Sequence, residues 1–253
     1  MSRRPYARCN RGRVRRVRGA AGGGVAAPTT PVLPANALTY IDASDLVGDA
    51  ADPVTAWASR TDALAGGGPY DWAATAPGII DDTTLSGGRR SVLFNGTTQY
   101  MLAAAGLETE LSGSDVPFTR YLHGYLVSIT SNDCVMSASN DGFTHIDIFR
   151  ERVANWRVQR TGGLVNTPAF TQTVGEFKIV DIQVGATRTT WVNDVEYDLG
   201  ALDSVALTFT KIALAALVGS SAAAHANIAV RRHGYWDVAF DDAQALALPG
   251  VGE

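Results

Sequence analysis

The sequence predicts an all-β body, a sandwich or barrel, that follows a basic N-terminal arm. Short strand-like runs succeed one another from residue 37 onward, and glycine, asparagine, aspartate and serine occupy the gaps between them. Helical segments do not alternate with these runs, which argues against a parallel α/β sheet. Charge separates the two parts of the chain, because the arm is basic and the body is acidic.

The predicted arm comprises residues 1–36. It holds 8 of the 21 basic side chains and none of the 25 acidic ones, so residues 37–253 carry a net charge of −12. Its glycines and prolines cannot bury enough surface to offset an ordering cost of ~1–2 kcal/mol per residue. We therefore expect this extended arm to gain its shape only against a partner. The arginines expected to anchor it are Arg3, Arg4, Arg8, Arg11, Arg13, Arg15, Arg16 and Arg18.

The body, residues 37–253, contains a series of runs with alternating or β-rich character. They cover residues 37–43, 54–60, 91–96, 99–103, 118–130, 134–139, 143–150, 153–160, 176–185, 188–194, 205–217 and 226–240. Residues 60–90 are expected to form a long loop. Residues 241–248 predict one short helix, with Asp241 or Asp242 as its N-cap.

Two residue pairs predict hairpin turns. Asn95-Gly96 and Asn193-Asp194 each follow a strand-like run, and such pairs adopt the positive φ angles that two-residue hairpin turns need. The first pair would place Phe94 and Tyr100 on the flanking strands.

Three features of the sequence indicate where in the cell the protein is made. Cys9 and Cys134 are too few for a disulfide framework, so both are expected to be reduced. The first residues lack the apolar core of a secretory signal. The apolar run at 212–219 is far short of the ~20 residues that a membrane span needs. These features favour a protein made in a reducing cytoplasm, with no membrane partner.

Four stretches, in this order, resemble the concanavalin A-like, laminin-G-like jelly-roll domains of phage structural proteins. They are "YIDASDLVGDAADPVTAWASRTDALAGGGPYDWAA" (40–74), "GRRSVLFNGTTQYMLA" (88–103), "KIVDIQVGATRTTWVNDVEYD" (178–198) and "ANIAVRRHGYWDVAFDDAQALAL" (226–248). The resemblance implies an antiparallel two-sheet jelly-roll sandwich with one short C-terminal helix. Such domains often bind sugars or calcium, and some relatives hydrolyse glucans; function must be argued from residues.

Acidic residues offer two candidate sites. Asp194, Glu196 and Asp198 alternate, so on a strand they would share one face, as a retaining glycosidase needs. An amphipathic hairpin with its acids in water is the favoured interpretation. Calcium could be held by acidic side chains that are by default turn caps. These are Asp42, Asp45, Asp81 and Asp82.

Histidines and aromatic residues are weighed in the same way. His123, His145, His225 and His233 lack metal-ligand spacing, so we expect no zinc site. Apart from the possible calcium, we expect no cofactor. Among the tryptophans, Trp57, Trp156 and Trp191 lie in strand patterns and are expected in the core. Tyr70 and Trp72 fall in the predicted loop, where Trp72 is the candidate exposed platform for a sugar ring.

The arm could coat nucleic acid, remain a passive solvated tail, or dock on the acidic surface of a partner protein. Tyr6 is its one aromatic residue, and the acidic body would repel a polyanion. Docking is favoured because the arginine fork suits capture by carboxylates.

The resulting hypothesis is a non-enzymatic virion structural protein: a capsid decoration, head spike or tail-associated component. The arm would anchor it to other virion proteins, and a homo-oligomer is expected. The sandwich would bind host surface polysaccharide, with many copies adding weak contacts through avidity. The alternatives are a secreted or particle-borne glycan hydrolase of the glucanase type, and a nucleic-acid-contacting protein acting through the basic arm.

Overall fold

The computed structural model describes residues 37–60, 70–85, 87–128, 133–152, 155–161, 163–166, 174–202 and 205–252. Over these residues the chain is an all-β antiparallel sandwich with a short C-terminal helix. The strands are β1 (Ala37–Asp42), β2 (Pro53–Trp57), β3 (Trp72–Leu85), β4 (Arg89–Leu93), β5 (Tyr100–Ala103), β6 (Phe118–Leu126), β7 (Cys134–Ser139), β8 (Ile146–Arg152), β9 (Asn155–Arg160), β10 (Gly163–Asn166), β11 (Gly175–Val184), β12 (Thr187–Val192), β13 (Val195–Ala201), β14 (Lys211–Leu214), β15 (Leu217–Val218), β16 (Ala222–Ala223) and β17 (Ile228–Trp236). The helices are α1 (Leu107–Glu110) and α2 (Asp242–Ala247), and a 3-10 turn covers Ala43–Asp45.

The main sheet is one hydrogen-bonded path that folds over into two layers. Its order is β10-β9-β8-β7-β14-β5-β3-β4-β17-β6-β11-β12-β13, with β1 beside β17 and β2 beside β3. The layers face each other, because strands far apart on this path touch through their side chains. The Trp156 ring on β9 lies 5.2 Å from the Phe177 ring on β11, and 5.4 Å from that of Phe149 on β8.

Strand β3 connects the layers. Its first residues pair with β5, and its later residues pair with β4. Its pairing with β2 jumps from Ala73 to Gly78, which marks the bend between the layers. A Cβ atom at Gly78 would lie 2.8 Å from the Leu93 carbonyl oxygen, so this crossing requires glycine.

The prediction of a loop over residues 60–90 is wrong for residues 72–85, which form β3. The stretch "WAATAPGIIDDTTL" lacks clean alternation and contains proline and glycine, so its own pattern does not predict a strand. Neighbours on both sides supply its hydrogen bonds. The other predicted runs all overlap strands of the structure, although 205–217 contains only β14 and the start of β15.

The two predicted turns have different outcomes. Asn193 and Asp194 have φ angles of 49° and 64° and join Val192 to Val195 in a two-residue hairpin, as predicted. The Asn95-Gly96 hairpin is wrong, because β4 and β5 do not pair with each other. They belong to different layers. Gly96 has the expected positive φ of 71°, but the loop carries the chain across the sandwich.

A second apolar cluster covers the outer face of the layer that contains β17, β6 and β11. It packs Tyr40, Tyr121 and Trp236 under the predicted C-terminal helix, here α2. The Asp241 side chain accepts a hydrogen bond from the Gln244 N–H, and the Gln244 side chain accepts one from the Asp241 N–H, which forms a capping box. The predicted N-cap is thus confirmed at Asp241.

Between the layers lies a quartet of buried charges, two arginines and two aspartates. Arg188 on β12 bonds both Asp181 on β11, at 2.7 Å, and Asp147 on β8, at 2.8 Å. Arg120 on β6 contacts the same two carboxylates. Thr190 donates to Asp181 at 2.9 Å. The group spans both layers, and its charges cancel.

Electrostatic balance keeps Asp181 ionised. Burial alone would raise the pKa of Asp181, but Arg188 and Arg120 outweigh burial and hold that pKa below its usual value. Arg188 also lies 4.5 Å from the centre of the Phe118 ring, so its flat guanidinium packs inside the apolar core. Removing one member would leave an uncompensated charge between the sheets.

We therefore expect Asp181→Asn to lower the free energy of unfolding by ~3–5 kcal/mol. Urea unfolding of the variant and the parent measures this difference. The matched control is Asp45→Asn, whose carboxylate pairs with Arg60 at the surface; its loss should cost below ~1 kcal/mol. Equal effects of the two substitutions would show that the quartet is not a special contributor to stability.

Candidate functional site

A pocket of about 200 Å³ opens between the end of β5, the start of β14 and the segment that contains α1. Among the described residues its walls are Leu102, Ala103, Ala105, Glu108, Thr210, Lys211 and Ile212. Leu102 and Ala103 provide an apolar wall. Glu108, Thr210 and Lys211 provide an acceptor, a hydroxyl and a cation.

Local hydrogen bonds hold the α1 segment against the strand region before β14. Gly106 has a φ of 113°, a conformation that strains other residues, and its N–H donates to Glu108 Oε2 at 2.9 Å. Ser112 Oγ donates to the Glu108 carbonyl at 2.6 Å and accepts from the Phe209 N–H at 2.9 Å. The Gly106 N–H thus holds one carboxylate oxygen of Glu108, and Ser112 links the Glu108 backbone to Phe209.

The cation of the pocket is also held in place. Lys211 Nζ pairs with Asp141 Oδ1 at 2.9 Å and donates to the Gly219 carbonyl. A carboxylate can only accept and an ammonium can only donate, so the pocket offers both kinds of partner to a ligand hydroxyl. This combination had no motif in the sequence, because β5, α1 and β14 are brought together by pairing between distant strands.

Tyr70 and Trp72, the two aromatic residues predicted to bind sugar, differ in burial. Trp72 is 0% exposed, its Nε1 donates to Thr39 Oγ1 at 3.1 Å, and its ring meets His233 edge-on at 5.0 Å. The prediction that Trp72 is an exposed sugar platform is therefore wrong. Trp72 begins β3, with Trp57 and Ala103 as its partners on the two neighbouring strands, and so belongs to the core.

Tyr70 contacts the segment that contains α1. Its ring packs against Gly106, and its hydroxyl lies 3.5 Å from Glu110 Oε1. Burial, followed by the nearby Glu110 charge, raises the Tyr70 pKa. Tyr70 is half-buried and supports the α1 segment, and its role in sugar binding stays a prediction.

Two of the alternating acids, Glu196 and Asp198, lie on β13, and Asp194 lies in the turn that precedes this strand. Asp194 accepts from Lys178 Nζ at 2.8 Å. Glu196 and Asp198 are exposed, and Asp198 accepts from the Gly200 N–H at 2.8 Å. In the described residues β13 pairs only with β12, so these acids line a sheet edge in contact with solvent.

Two histidines are buried. Burial lowers the pKa of His123 to about 4, although Glu176 accepts a hydrogen bond from its Nε2 at 2.8 Å. Burial lowers the pKa of His233 to about 3, with Nδ1 bonded to the Tyr121 carbonyl at 2.6 Å. Both rings are therefore neutral near pH 7.

The other two histidines are half-buried. His145 Nδ1 accepts from the Thr208 N–H at 2.8 Å. The His225 ring lies 5.7 Å from the Tyr100 ring. His145 and His225 agree with the expectation of partly buried or surface histidines. His123 and His233 are fully buried, so that expectation is wrong for these two rings.

The aspartates proposed as calcium ligands act as caps and ion-pair partners. Asp42 accepts from the Ser44 N–H and pairs with Arg232, and Asp81 accepts from the backbone of Thr83. The remaining pairs are Asp45 with Arg60 and Asp82 with Arg90. Within the part of the chain that the structure describes, no group of three or more His, Cys, Asp or Glu side chains could hold a metal ion.

The predictions for the arm concern residues that lie outside the described part of the chain. Outside the described residues lie Cys9 and the arginines predicted to anchor the arm, which are Arg3, Arg4, Arg8, Arg11, Arg13, Arg15, Arg16 and Arg18.

Cys134 is a buried free thiol, and burial raises its pKa to about 12. Among the described helices, none has the length and apolar character to cross a membrane.

No protein-family model and no curated protein sequence matches this chain. Solved structures match its fold. The Trypanosoma rangeli sialidase in complex with the inhibitor DANA has a TM-score of 0.61 at 8% identity, covering 87% of this chain and 34% of that chain. The same sialidase in complex with sialic acid has a TM-score of 0.61 at 9% identity, covering 87% and 35%. The structure described as NanB plus Optactamide has a TM-score of 0.53 at 17% identity, covering 64% and 27%.

These matches define a class of fold. The chain is an antiparallel β-sandwich domain similar in fold to part of these sialidases. It spans about a third of the length of the trypanosome enzyme. At such low identity the similarity concerns the fold alone.

The buried histidines generate a pH prediction. Both are neutral when folded, whereas the unfolded chain binds protons below a pKa near 6.5. We expect the free energy of unfolding to fall as pH drops from 6.5 toward 4.5, with a slope approaching ~1.4 kcal/mol per unit for each histidine. Carboxylates with lowered pKa values, such as Asp181, lose their contribution only at lower pH. Urea unfolding across this window measures the slope.

His123→Gln should reduce that slope, because it removes one neutral buried imidazole. His233→Gln should reduce the slope in the same way, because it removes the other neutral buried imidazole. A stability that does not vary between pH 6.5 and 4.5 would contradict this assignment of the two buried rings.

Proposed function

We propose that the sandwich binds carbohydrate, without cleaving it, at the pocket between β5, β14 and α1. The observation that carries this proposal is that Glu108, Thr210 and Lys211 line one pocket together with apolar Leu102, Ala103 and Ile212. Sugar hydroxyls both donate and accept hydrogen bonds, and the C–H face of a sugar ring packs on apolar side chains.

The size of the pocket supports a small ligand. Its volume of about 200 Å³ is below the ~300–1,000 Å³ of sites for drug-sized molecules. One sugar unit of a longer chain is therefore the proposed occupant. Weak contacts of this size gain strength when many copies bind together, as surface display provides.

The chemistry of the pocket supports binding rather than hydrolysis. Glycosidases typically flank the scissile bond with two carboxyl groups. Here the described walls contain one acidic residue, Glu108, and one basic residue, Lys211. The similarity to sialidases, whose structures include complexes with sialic acid, fits a sandwich that accompanies carbohydrate chemistry.

We also propose that residues 1–36 anchor the sandwich to a capsid or tail, with the protein made in the host cytoplasm. This proposal rests on the sequence, where eight arginines and no acidic residue precede the acidic body. An acidic partner surface would neutralise the arm through charge-assisted hydrogen bonds.

The pocket proposal predicts a loss of glycan binding on substitution. With full-length protein on a glycan array, Glu108→Gln and Leu102→Trp should each weaken binding about tenfold or more, a change of ~1.4 kcal/mol. The first removes the charged acceptor, and the second fills the cavity. Asp198→Asn is the control, because its carboxylate is exposed on β13. Binding that survives both pocket substitutions, or that Asp198→Asn weakens equally, would refute the site.

The hydrolase alternative is tested on the same polysaccharides. We expect no release of reducing ends by the full-length protein. Release that disappears in Glu196→Gln would show that the acids of β13 are catalytic and that the protein is an enzyme.

The arm predicts a separate outcome. Deletion of residues 2–36 should abolish incorporation into particles when the variant is supplied during assembly, because the arginines would no longer meet their partner. A full-length variant with the eight arginines changed to glutamine tests charge without changing length. Unchanged incorporation of both variants would end the anchoring proposal. DNA binding that falls steeply with salt would favour the nucleic-acid alternative.

A further inference from the structure

Arg231 lies where one edge of β17 changes its partner strand. Ala229 and Val230 pair with β4, whereas Arg232 pairs with Asp42 of β1. On the other edge of β17, the register with β6 shifts between Val230 and Arg232. Arg231 is therefore the extra residue of a β-bulge, a feature that commonly redirects a side chain at a functional site.

Three other arginines lie near Arg231. The four residues, Arg89, Arg90, Arg231 and Arg232, are called the arginine cluster here. Three of them have carboxylate partners. Arg89 pairs with Glu176 at 2.6 Å, Arg90 with Asp82 at 2.8 Å, and Arg232 with Asp42 at 2.8 Å.

Arg231 differs from these three neighbours. Among the described residues no carboxylate lies within ion-pair distance of its guanidinium. Its Nη1 donates to the Arg90 carbonyl, a neutral acceptor, at 3.4 Å, and its Nε is buried with no acceptor in the same set. The arginine cluster thus carries one positive charge that the described protein groups leave unpaired.

The surroundings of Arg231 make this charge unfavourable. The side chain is half-buried. Burial, followed by repulsion from Arg232, lowers the pKa of Arg231 below its usual value despite the nearby Asp42. A partly buried charge without a partner is destabilising, so a counter-ion at this position would be bound favourably.

We propose that the arginine cluster is an oxyanion-binding site in which Arg231 receives a carboxylate or phosphate group of a ligand. A guanidinium matches both anions in charge and hydrogen-bond geometry. The site stands out because the body as a whole carries a net charge of −12, which disfavours anions elsewhere on its surface. It lies apart from the pocket lined by Glu108, so it is independent of the carbohydrate proposal.

The test titrates full-length protein with inorganic phosphate and, separately, with acetate at constant ionic strength. The Nε–Hε resonance of Arg231 is followed by NMR, and the midpoint of thermal unfolding is measured in parallel. We expect a saturable shift of this resonance and a rise of the midpoint with at least one anion. A response to phosphate alone would identify a tetrahedral ligand group, and one to acetate a carboxylate.

Two variants separate binding from a merely structural role. Arg231→Gln should weaken anion binding at least tenfold, and Arg231→Lys should retain part of it. Arg150→Gln is the matched control, because Arg150 is half-buried like Arg231 but lies on β8, which pairs with β7 and β9, so its loss should leave binding unchanged. In the absence of added anion, Arg231→Gln should be as stable as the parent or more so.

The opposite set of results would overturn the proposal. If neither anion shifts the Arg231 resonance, or if Arg231→Gln responds like the parent, the cluster does not bind oxyanions. If Arg231→Gln is destabilised without added anion and its unfolding midpoint still rises with anion as the parent's does, Arg231 acts only by bonding the Arg90 carbonyl. The glycan-binding assay with Glu108→Gln is unaffected by any of these outcomes.

Discussion

The buried quartet of Arg120, Asp147, Asp181 and Arg188 is the constraint on which the sandwich depends. Apolar side chains alone would allow the two layers to slide, because dispersion contacts have little directional preference. Four mutually bonded charges from β6, β8, β11 and β12 admit far fewer relative positions of the layers. The same charges would be strongly destabilising if one partner were lost, so the network joins stability to one particular alignment of the strands.

That alignment positions the surface features. Once the layers are aligned, β3 crosses between them and brings β5 beside β14, where the pocket forms. On the other layer, β17 pairs with β4 and then with β1, and the bulge at this change of partner presents Arg231. The pocket lies where the pairing of β5 with β14 ends, and Arg231 lies where β17 changes its partner strand. Side chains at such interruptions are not fixed by regular strand pairing.

The strands with clear alternation, such as β11, and the capped helix α2 were predictable, because their signals are local. Trp57, Trp156 and Trp191 were correctly expected in the core. Trp72 was not, because a tryptophan next to glycines resembles an exposed loop residue until β2 and β5 are placed beside it. The Asn95-Gly96 prediction failed for a related reason. A turn sequence specifies a change of chain direction, but not whether the next strand pairs with the strand before the turn.

By itself the sequence determined the all-β class, the charge contrast between residues 1–36 and the body, the Asn193-Asp194 hairpin and the C-terminal helix. Each of these follows from neighbouring residues, through side-chain alternation, turn conformation, capping or net charge. Only the tertiary structure decided that β3 is a strand, that Glu108 and Lys211 line one pocket, and that Arg231 has no carboxylate partner among the described residues. The physical reason is that hydrogen bonds and ion pairs between residues far apart in the chain depend on which strands become neighbours, and local sequence does not specify that choice.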